Sequence, residues 1–309
     1  MNILVTGANG QLARCLKDIV DEYGNGAPNA VVGDPDYWIF ADREVLDITN
    51  SDAVTEFVRK NYINVIVNCA AYTNVNKAEE ECDAAYSINA YGARNLASSC
   101  EINGAVLIHI STDYVFDGSK GAPYEPGDLK NPLNEYGKSK SEGETLIEQS
   151  GCKYLIFRTS WLYSQYGHNF VKSIYKQWKE MRLTQVVFDQ IGSPTNANDL
   201  ALFIYNIITN NNAETRYLSK SGIYHYCNTG VASWFDLAEA VYSALENMQI
   251  DTDVRQAIVP TKTDKNAAIK RPSVSVLDTQ LTQEMFNEYI PYWRDSLTDV
   301  IYKIIENEE

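Results

Sequence analysis

Asn2-Ile3-Leu4-Val5-Thr6-Gly7-Ala8-Asn9-Gly10-Gln11-Leu12-Ala13 is the stretch whose reading decides the fold. Residues 2–6 form a short apolar run of strand character. Gly7-x-x-Gly10-x-x-Ala13 follows at once and opens a helical pattern that runs to about Tyr23. A strand, a glycine-spaced turn and a helix N-terminus are the setting in which a loop cradles a dinucleotide pyrophosphate. Gly7 permits the tight turn, Gly10 lets the backbone approach the phosphates, and the small Ala13 allows helix and strand to pack closely. The helix N-terminus then attracts the anion. The lesser alternative for the loop taken alone is an ordinary glycine-rich β–α turn with no ligand.

The pattern outward from this stretch alternates. Strands are expected at 2–6, 37–41, 64–69, 105–111 and 153–158, separated by helices near 11–23, 51–61, 78–101 and 136–149. Such alternation implies a parallel sheet covered by helices on both faces, with ligands at the carboxyl ends of the strands. After Arg158 it weakens: helices are expected at 168–181, 196–210, 233–248 and 291–306, with strands near 185–188 and 223–227. The expected fold is α/β, a Rossmann-type doubly wound parallel sheet with a smaller, partly interleaved α+β substrate-binding domain. Residues 1–158 form the dinucleotide-binding part and 159–309 mainly the substrate-binding part, some segments returning to the main sheet.

The chemistry-bearing residues fall at strand ends. Gly7, Gly10, Gln11 and Leu12 follow the first strand; Ala70, Ala71, Tyr72 and Thr73 follow Val65-Ile66-Val67-Asn68; Ser111-Thr112-Asp113-Tyr114 close the run from Val106. Small alanines let a flat cofactor lie on the backbone, although alone they are ordinary strand-end residues. Two dozen residues on comes Tyr136-Gly137-Lys138-Ser139-Lys140. Positions i and i+4 share a helix face, so Tyr136 and Lys140 point at one reacting atom. An ammonium beside the phenol favours phenolate and is expected to draw its pKa down from ~10. A lone Tyr-x-x-x-Lys is common on surface helices; joined to a nucleotide loop and a strand-end hydroxyl, it reads as proton delivery to a carbonyl. The adenosine ribose is normally gripped at the end of the second strand. Here an inserted surface loop at 24–36 comes first, so Asp42 is expected to meet the 2′-hydroxyl, with Arg43 beside it to pair with a 2′-phosphate. The cofactor is therefore NADPH or NADH.

Composition limits the alternatives. The chain has 309 residues, enough for a large core, and a net charge of -15, which argues against a broad nucleic-acid or anionic-membrane surface. No stretch is long and apolar enough to span a membrane and no signal-peptide pattern is present, so cytoplasmic residence is expected. Six scattered cysteines and three dispersed histidines give no metal-ligand spacing and no Cys/His nucleophile. Against the acidic background, residues 255–271 carry Arg255, Lys262, Lys265, Lys270 and Arg271 with one acid, Asp264. This segment reads either as a diphosphate-binding flank or as a solvated loop.

Over nearly its whole length the chain resembles the dTDP-4-dehydrorhamnose reductases, within the extended short-chain dehydrogenases. The resemblance rests on Gly7-Ala8-Asn9-Gly10-Gln11-Leu12, Leu46-Asp47-Ile48-Thr49, the Asn68–Val75 block, Ser111-Thr112-Asp113-Tyr114-Val115-Phe116-Asp117-Gly118, and Asn131-Pro132-Leu133-Asn134-Glu135-Tyr136-Gly137-Lys138-Ser139-Lys140. Arg158-Thr159-Ser160-Trp161 and Asp189-Gln190-Ile191-Gly192-Ser193-Pro194-Thr195 are the more family-specific blocks, joined by the one from Arg271 to Asp278. What the resemblance implies is reduction of the C4 ketone of dTDP-4-dehydro-β-L-rhamnose, a nucleotide sugar, for surface polysaccharide. It implies Tyr136 as proton donor, Lys140 as its modulator and a ribose ligand, and Thr112 as the hydroxyl that polarises the ketone. By the same likeness Trp161 stacks on the sugar and Asp113 lies beside it; Asp47 and Ile48 contact adenine, and Ala71, Tyr72 and Thr73 form the nicotinamide-side loop.

Departures from the family pattern are also present. Asn76 stands where many relatives have Asp. Cys15 and Asn198 stand where some relatives place the glutamates that hold a dimer-bridging magnesium, so neither that metal nor that dimer is expected, and a homodimer of another kind stays open. Three other readings remain: a sugar-nucleotide epimerase or dehydratase, a reductase for another nucleotide-linked ketosugar, and a non-catalytic subunit on the same fold. The last should lose catalytic groups, yet Thr112, Tyr136 and Lys140 are all present.

Overall fold

A computed structural model describes residues 1–23, 36–180, 182–210, 216–248, 258–264 and 266–307. All but Asp36 of the inserted loop at 24–36, together with Arg255 and Lys265 of the basic segment, lie outside the described residues. Five apolar runs form β1 (Asn2–Thr6), β2 (Tyr37–Ala41), β3 (Val65–Asn68), β4 (Val106–Thr112) and β5 (Lys153–Thr159). With Gly222–His225 they make one parallel sheet in the spatial order β2-β1-β3-β4-β5-(222–225). The register runs Tyr37↔Asn2 and Ile3↔Val65↔Val106↔Lys153. Every residue of β1 and β3 is buried, as expected of strands covered on both faces.

Helices cover the two faces. On one, α1 (Gln11–Tyr23) packs Leu12, Leu16 and Ile19 with Leu200, Ile204 and Ile207 of the helix Ala197–Thr209. On the other, Val54 and Val58 of α2 (Ser51–Lys60) meet Leu96 and Cys100 of the helix Ala93–Asn103. Successive strands are added on one side of β1 up to β2 and on its other side from β3 onward, and a doubly wound sheet opens its ligand crevice at such a switch point. A separate core joins Val171, Ile174, Leu237, Val241, Val300 and Ile301 beyond the sheet. A parallel pair, Thr184–Val187 with Ile258–Thr261, lies on that side. Among the described residues no helix is long and apolar enough to cross a membrane.

One local expectation is corrected. The single helix expected at 78–101 is four pieces: Val75–Ala78, Cys82–Tyr86, a π-helical segment Ser87–Gly92, and Ala93–Asn103. A Cβ at Gly92 would lie 2.7 Å from the Ile48 side chain, so the wider turn runs close against Ile48. The helix Gln280–Phe286 and the strand Ile258–Thr261 have no counterpart in the pattern reading.

Candidate active site

At the switch point the turn after β1 is closed by the backbone itself. Gly7 has φ +70°, and a Cβ there would lie 2.6 Å from the Ala70 nitrogen, so both conformation and space demand glycine. Gly7 and Gly10 line a cleft with Asp42, Arg43, Asp47, Ile48, Ala70 and Ala71. The residues present thus fit a dinucleotide: a side-chain-free cradle at a helix N-terminus, and a floor of small residues. Asn95 Nδ2 donates to the carbonyls of Ile48 (3.0 Å) and Thr49 (3.2 Å), fixing the strip expected to meet adenine. Hydrogen bonds from the Thr49 hydroxyl and amide hold the Asp47 carboxyl below its usual range.

Asp42 is placed at the cleft, but its carboxylate is engaged. Oδ1 accepts from the Glu44 and Val45 amides, both at 3.0 Å, and Oδ2 from Asn9 Nδ2 at 3.2 Å. Arg43 is exposed and donates from Nε to Asp47 Oδ2 at 3.3 Å. Other expected cofactor residues divide. Leu12 is buried in the core under the sheet, which leaves only its backbone for a ligand. Gln11 Oε1 accepts from Ser164 Oγ (3.0 Å) and Asn169 Nδ2 (2.8 Å), joining the start of α1 to a distant loop. Tyr72 donates its hydroxyl to Glu81 at 2.6 Å, and Thr73 is exposed.

The helix Glu135–Glu148 carries Tyr136 and Lys140. Asn134 caps it, accepting from the Gly137 amide at 2.9 Å. The helix presses close enough that a Cβ on Gly137 would lie 2.3 Å from the Tyr114 carbonyl oxygen and one on Gly143 2.2 Å from that of Asn89. The Tyr136 ring meets Tyr114 edge-on at 5.6 Å, and its phenol shares a hydrogen bond with Thr112. Lys140 is buried and donates to the Ile110 carbonyl at 2.6 Å.

The charge states correct the phenolate expectation. Burial pushes the Tyr136 phenol up, the Thr112 hydrogen bond opposes it, and the charge of Asp113 adds to the rise. Burial pushes the Lys140 ammonium down to about 8, against the raising influence of Glu144 and Cys69. Desolvation thus outweighs charge proximity at both residues. At neutral pH Tyr136 keeps its proton.

Opposite the phenol lies the sugar side expected from the sequence. Thr112 Oγ1 donates to Asp113 Oδ1 at 3.0 Å and accepts from the Tyr114 amide at 3.2 Å. Asp113 is buried, its Oδ2 has no hydrogen-bond partner, and burial pushes its carboxyl up to about 6. Trp161 has φ 48°, a left-handed conformation that is strained for a tryptophan. Its indole stacks on Trp234 at 3.7 Å and 7°, and a Cβ on Gly192 would lie 2.6 Å from it. One face of the expected sugar platform is therefore covered. Arg271 reaches over to donate to Asn76 Oδ1 at 2.7 Å, and Lys270 offers its carbonyl to Asn134 Nδ2 at 2.9 Å, so the end of the basic segment docks at this site.

Beneath the site, Arg158 and Glu144 form a buried bidentate pair at 2.9 and 2.8 Å, joined by Ser111 and Lys130. Burial works to raise the Glu144 carboxyl, but Arg158, Lys130 and Ser111 hold it below its ordinary range.

Two residues escaped the sequence reading. Asn89, inside the π-helical segment, accepts from the Tyr72 amide (2.8 Å) and donates to the Tyr72 carbonyl (3.0 Å) and Ser139 Oγ (2.9 Å), tying that loop to the Tyr136 helix. Nothing in its local spacing distinguishes it. Trp234, behind Trp161, offers only a signal of aromatic content next to a helix cap.

Comparison with known proteins bears on the whole assembly. Residues 1–305 match the family model described as the RmlD substrate binding domain. The chain is 37% identical to the dTDP-4-dehydrorhamnose reductase of Aggregatibacter actinomycetemcomitans, covering 96% of this chain and 97% of that protein. It superposes on a dTDP-4-dehydrorhamnose reductase of Clostridium acetobutylicum with a TM-score of 0.85 at 37% identity, over 98% of this chain and 99% of that one. The Bacillus anthracis dTDP-4-dehydrorhamnose reductase in complex with NADP gives 0.84 at 37% identity, with the same coverage.

Proposed function

The chain belongs to the RmlD substrate-binding-domain family, and on that footing we propose that it reduces the C4 ketone of dTDP-4-dehydro-β-L-rhamnose to dTDP-β-L-rhamnose with NADPH or NADH. The observation that carries this reading is the convergence of Thr112, Tyr136 and Lys140 where β4 ends beside the glycine cradle. When bound, the nicotinamide supplies the hydride. The chain's own residues do the rest. Gly7 and Gly10 seat the pyrophosphate, Lys140 holds the ribose, and Asp42 and Arg43 meet the 2′ position. Thr112 directs its hydroxyl at the ketone oxygen. Tyr136 delivers a proton there as negative charge develops, and the raised phenol suits this direction because the acid must arrive protonated. Trp161 walls the deoxysugar on its uncovered face, and Asp113 lies beside it.

The division at about residue 158, cytoplasmic residence and a homodimer belong to the same reading. The separate core containing Val171, Val241 and Val300 supports the division, while Gly222–His225 returns to the main sheet. The test is to follow NADPH and NADH oxidation with a panel of nucleotide-linked 4-ketosugars. The dTDP-linked 6-deoxy-4-ketosugar should be turned over fastest. Protein that retains oxidised NAD and needs no added reductant would instead be an epimerase or dehydratase.

A further inference from the structure

Lys140 is reached from below by a buried polar chain that the reaction as described does not use. Thr6 Oγ1 donates to Asn68 Oδ1 at 2.7 Å, Asn68 Nδ2 faces His109 Nδ1 at 2.9 Å, and His109 Nε2 lies 3.3 Å from Lys140 Nζ. Asn68 and His109 are each 1% exposed. The direction of the chain follows from one backbone amide. The Ala70 N–H also points at Asn68 Oδ1, at 3.2 Å, and an amide nitrogen can only donate. The atom of Asn68 turned to His109 is therefore the NH2, so His109 Nδ1 accepts and its single proton resides on Nε2. That N–H is aimed at Lys140 Nζ, which already donates to the Ile110 carbonyl. A neutral amine satisfies both contacts, giving one hydrogen and receiving one. An ammonium would set two donors face to face between two buried side chains.

We infer that Asn68 and His109 are positioning residues that loosen the hold of Lys140 Nζ on its proton in the free protein, so that cofactor binding above neutral pH draws a fraction of a proton from solvent onto Lys140 Nζ. The inference rests on the reading of Lys140 as a ribose ligand: ribose hydroxyls give an ammonium acceptors that His109 does not. The groups facing Lys140 are His109 from β4, Cys69 after β3, and Glu144 on its own helix. Glu144 alone among them carries a charge that favours ammonium, and Arg158 and Lys130 already engage it. The low proton affinity of the amine and the neutral state of His109, both caused first by burial, agree with the geometry. By linkage, a group whose pKa rises on binding makes affinity greatest at low pH, and affinity falls as pH rises through the bound-state value.

The test is calorimetric titration of NADPH, and separately NADH, into the protein at about pH 8 in phosphate and in Tris, buffers of different ionisation enthalpy. NADH has no 2′-phosphate, so uptake seen with both cofactors is the protein's. Wild type should take up about half a proton, and affinity should fall by up to about tenfold per unit at higher pH. His109→Gln can turn a carbonyl oxygen to Lys140. Asn68→Asp draws the His109 proton to Nδ1 and turns the Nε2 lone pair to Lys140. Either change should cut the uptake by more than about half and move the affinity decline to higher pH. Absence of uptake in wild type, or unchanged uptake in a variant that keeps its near-ultraviolet circular dichroism, overturns the inference. Lys140→Met separates the two readings. Wild-type affinity in that variant overturns the ribose role itself. Lost affinity and lost uptake there, with unchanged uptake in both other variants, keeps that role and overturns the part given to Asn68 and His109.

Discussion

The two flanks of the helix Glu135–Glu148 are built to different standards. On the flank toward β1 and β3, each member of the buried chain Thr6, Asn68, His109 and Lys140 has a partner, and the turn at Gly7 is closed by a contact that allows no side chain. On the flank toward Trp161, a buried Asp113 oxygen has none, and a tryptophan is held in left-handed backbone. The first flank is finished before any ligand arrives. The second holds unspent hydrogen-bonding capacity and strain, and such features concentrate where a ligand completes the structure.

Replacing the residue between the flanks should have the largest effect. Tyr136→Phe keeps the ring against Tyr114 but cannot deliver a proton, so kcat should fall by ~10²–10⁴ while cofactor affinity measured by calorimetry stays near wild type. Turnover within a factor of three would remove Tyr136 from the mechanism and leave the contrast without a centre.

Asp113 tests the unfinished flank directly. Its carboxyl titrates at about 6 in the fold, above its ordinary value of 3.8. A raised carboxyl contributes stability that is fully present below the unfolded value and is lost as pH rises through the folded one. Asp113→Asn should therefore gain on wild type between about pH 4 and 6, reaching roughly 1–3 kcal/mol at pH 8. Urea unfolding at pH 4 and 8 measures this, and an equal difference at both would mean that the carboxylate is not confined.

Trp161→Ala should weaken sugar binding about five- to tenfold, the scale of one aromatic stack, with cofactor affinity unchanged. A large loss of melting temperature without ligand, at unaltered KM, would make the Trp161 and Trp234 pair a structural stack instead. Asp42→Ala probes the finished flank and should shift preference a few-fold toward NADPH as the charge facing a 2′-phosphate is removed. It also breaks the turn contacts to the Glu44 and Val45 amides, a loss of about 1 kcal/mol visible in urea unfolding. An unchanged ratio of catalytic efficiencies would place the ribose elsewhere.

The sheet was legible in the sequence because its strands are continuous apolar runs bounded by turns, the central ones buried on both faces. Residues 2–6 and 37–41 lie as the pattern suggested. Gly7 was legible for the same local reason, since a glycine between strand and helix has few other uses. What escaped depends on partners far away in the chain. The strand Ile258–Thr261 exists through its pairing with Thr184–Val187. Tyr136 and Lys140 were readable as a pair, but not their charge states, which burial by other elements sets. Asn89 escaped because a polar residue in mid-helix gives no hint that the helix widens around it.

That widening has a bearing on insertions and deletions. A residue added to an α-helix turns everything beyond it by about 100°. The wide turn at Ser87–Gly92 absorbs such an offset, so the chain before and after it follows two different helical phases. One phase aims Asn89 at the Tyr72 loop, and the other sets Leu96 and Cys100 against α2. Deleting a single residue there would leave a more regular helix that can honour only one of them. Length changes among relatives should accordingly be absorbed by loops and excluded from 82–103, where regularity would come at the expense of the fold.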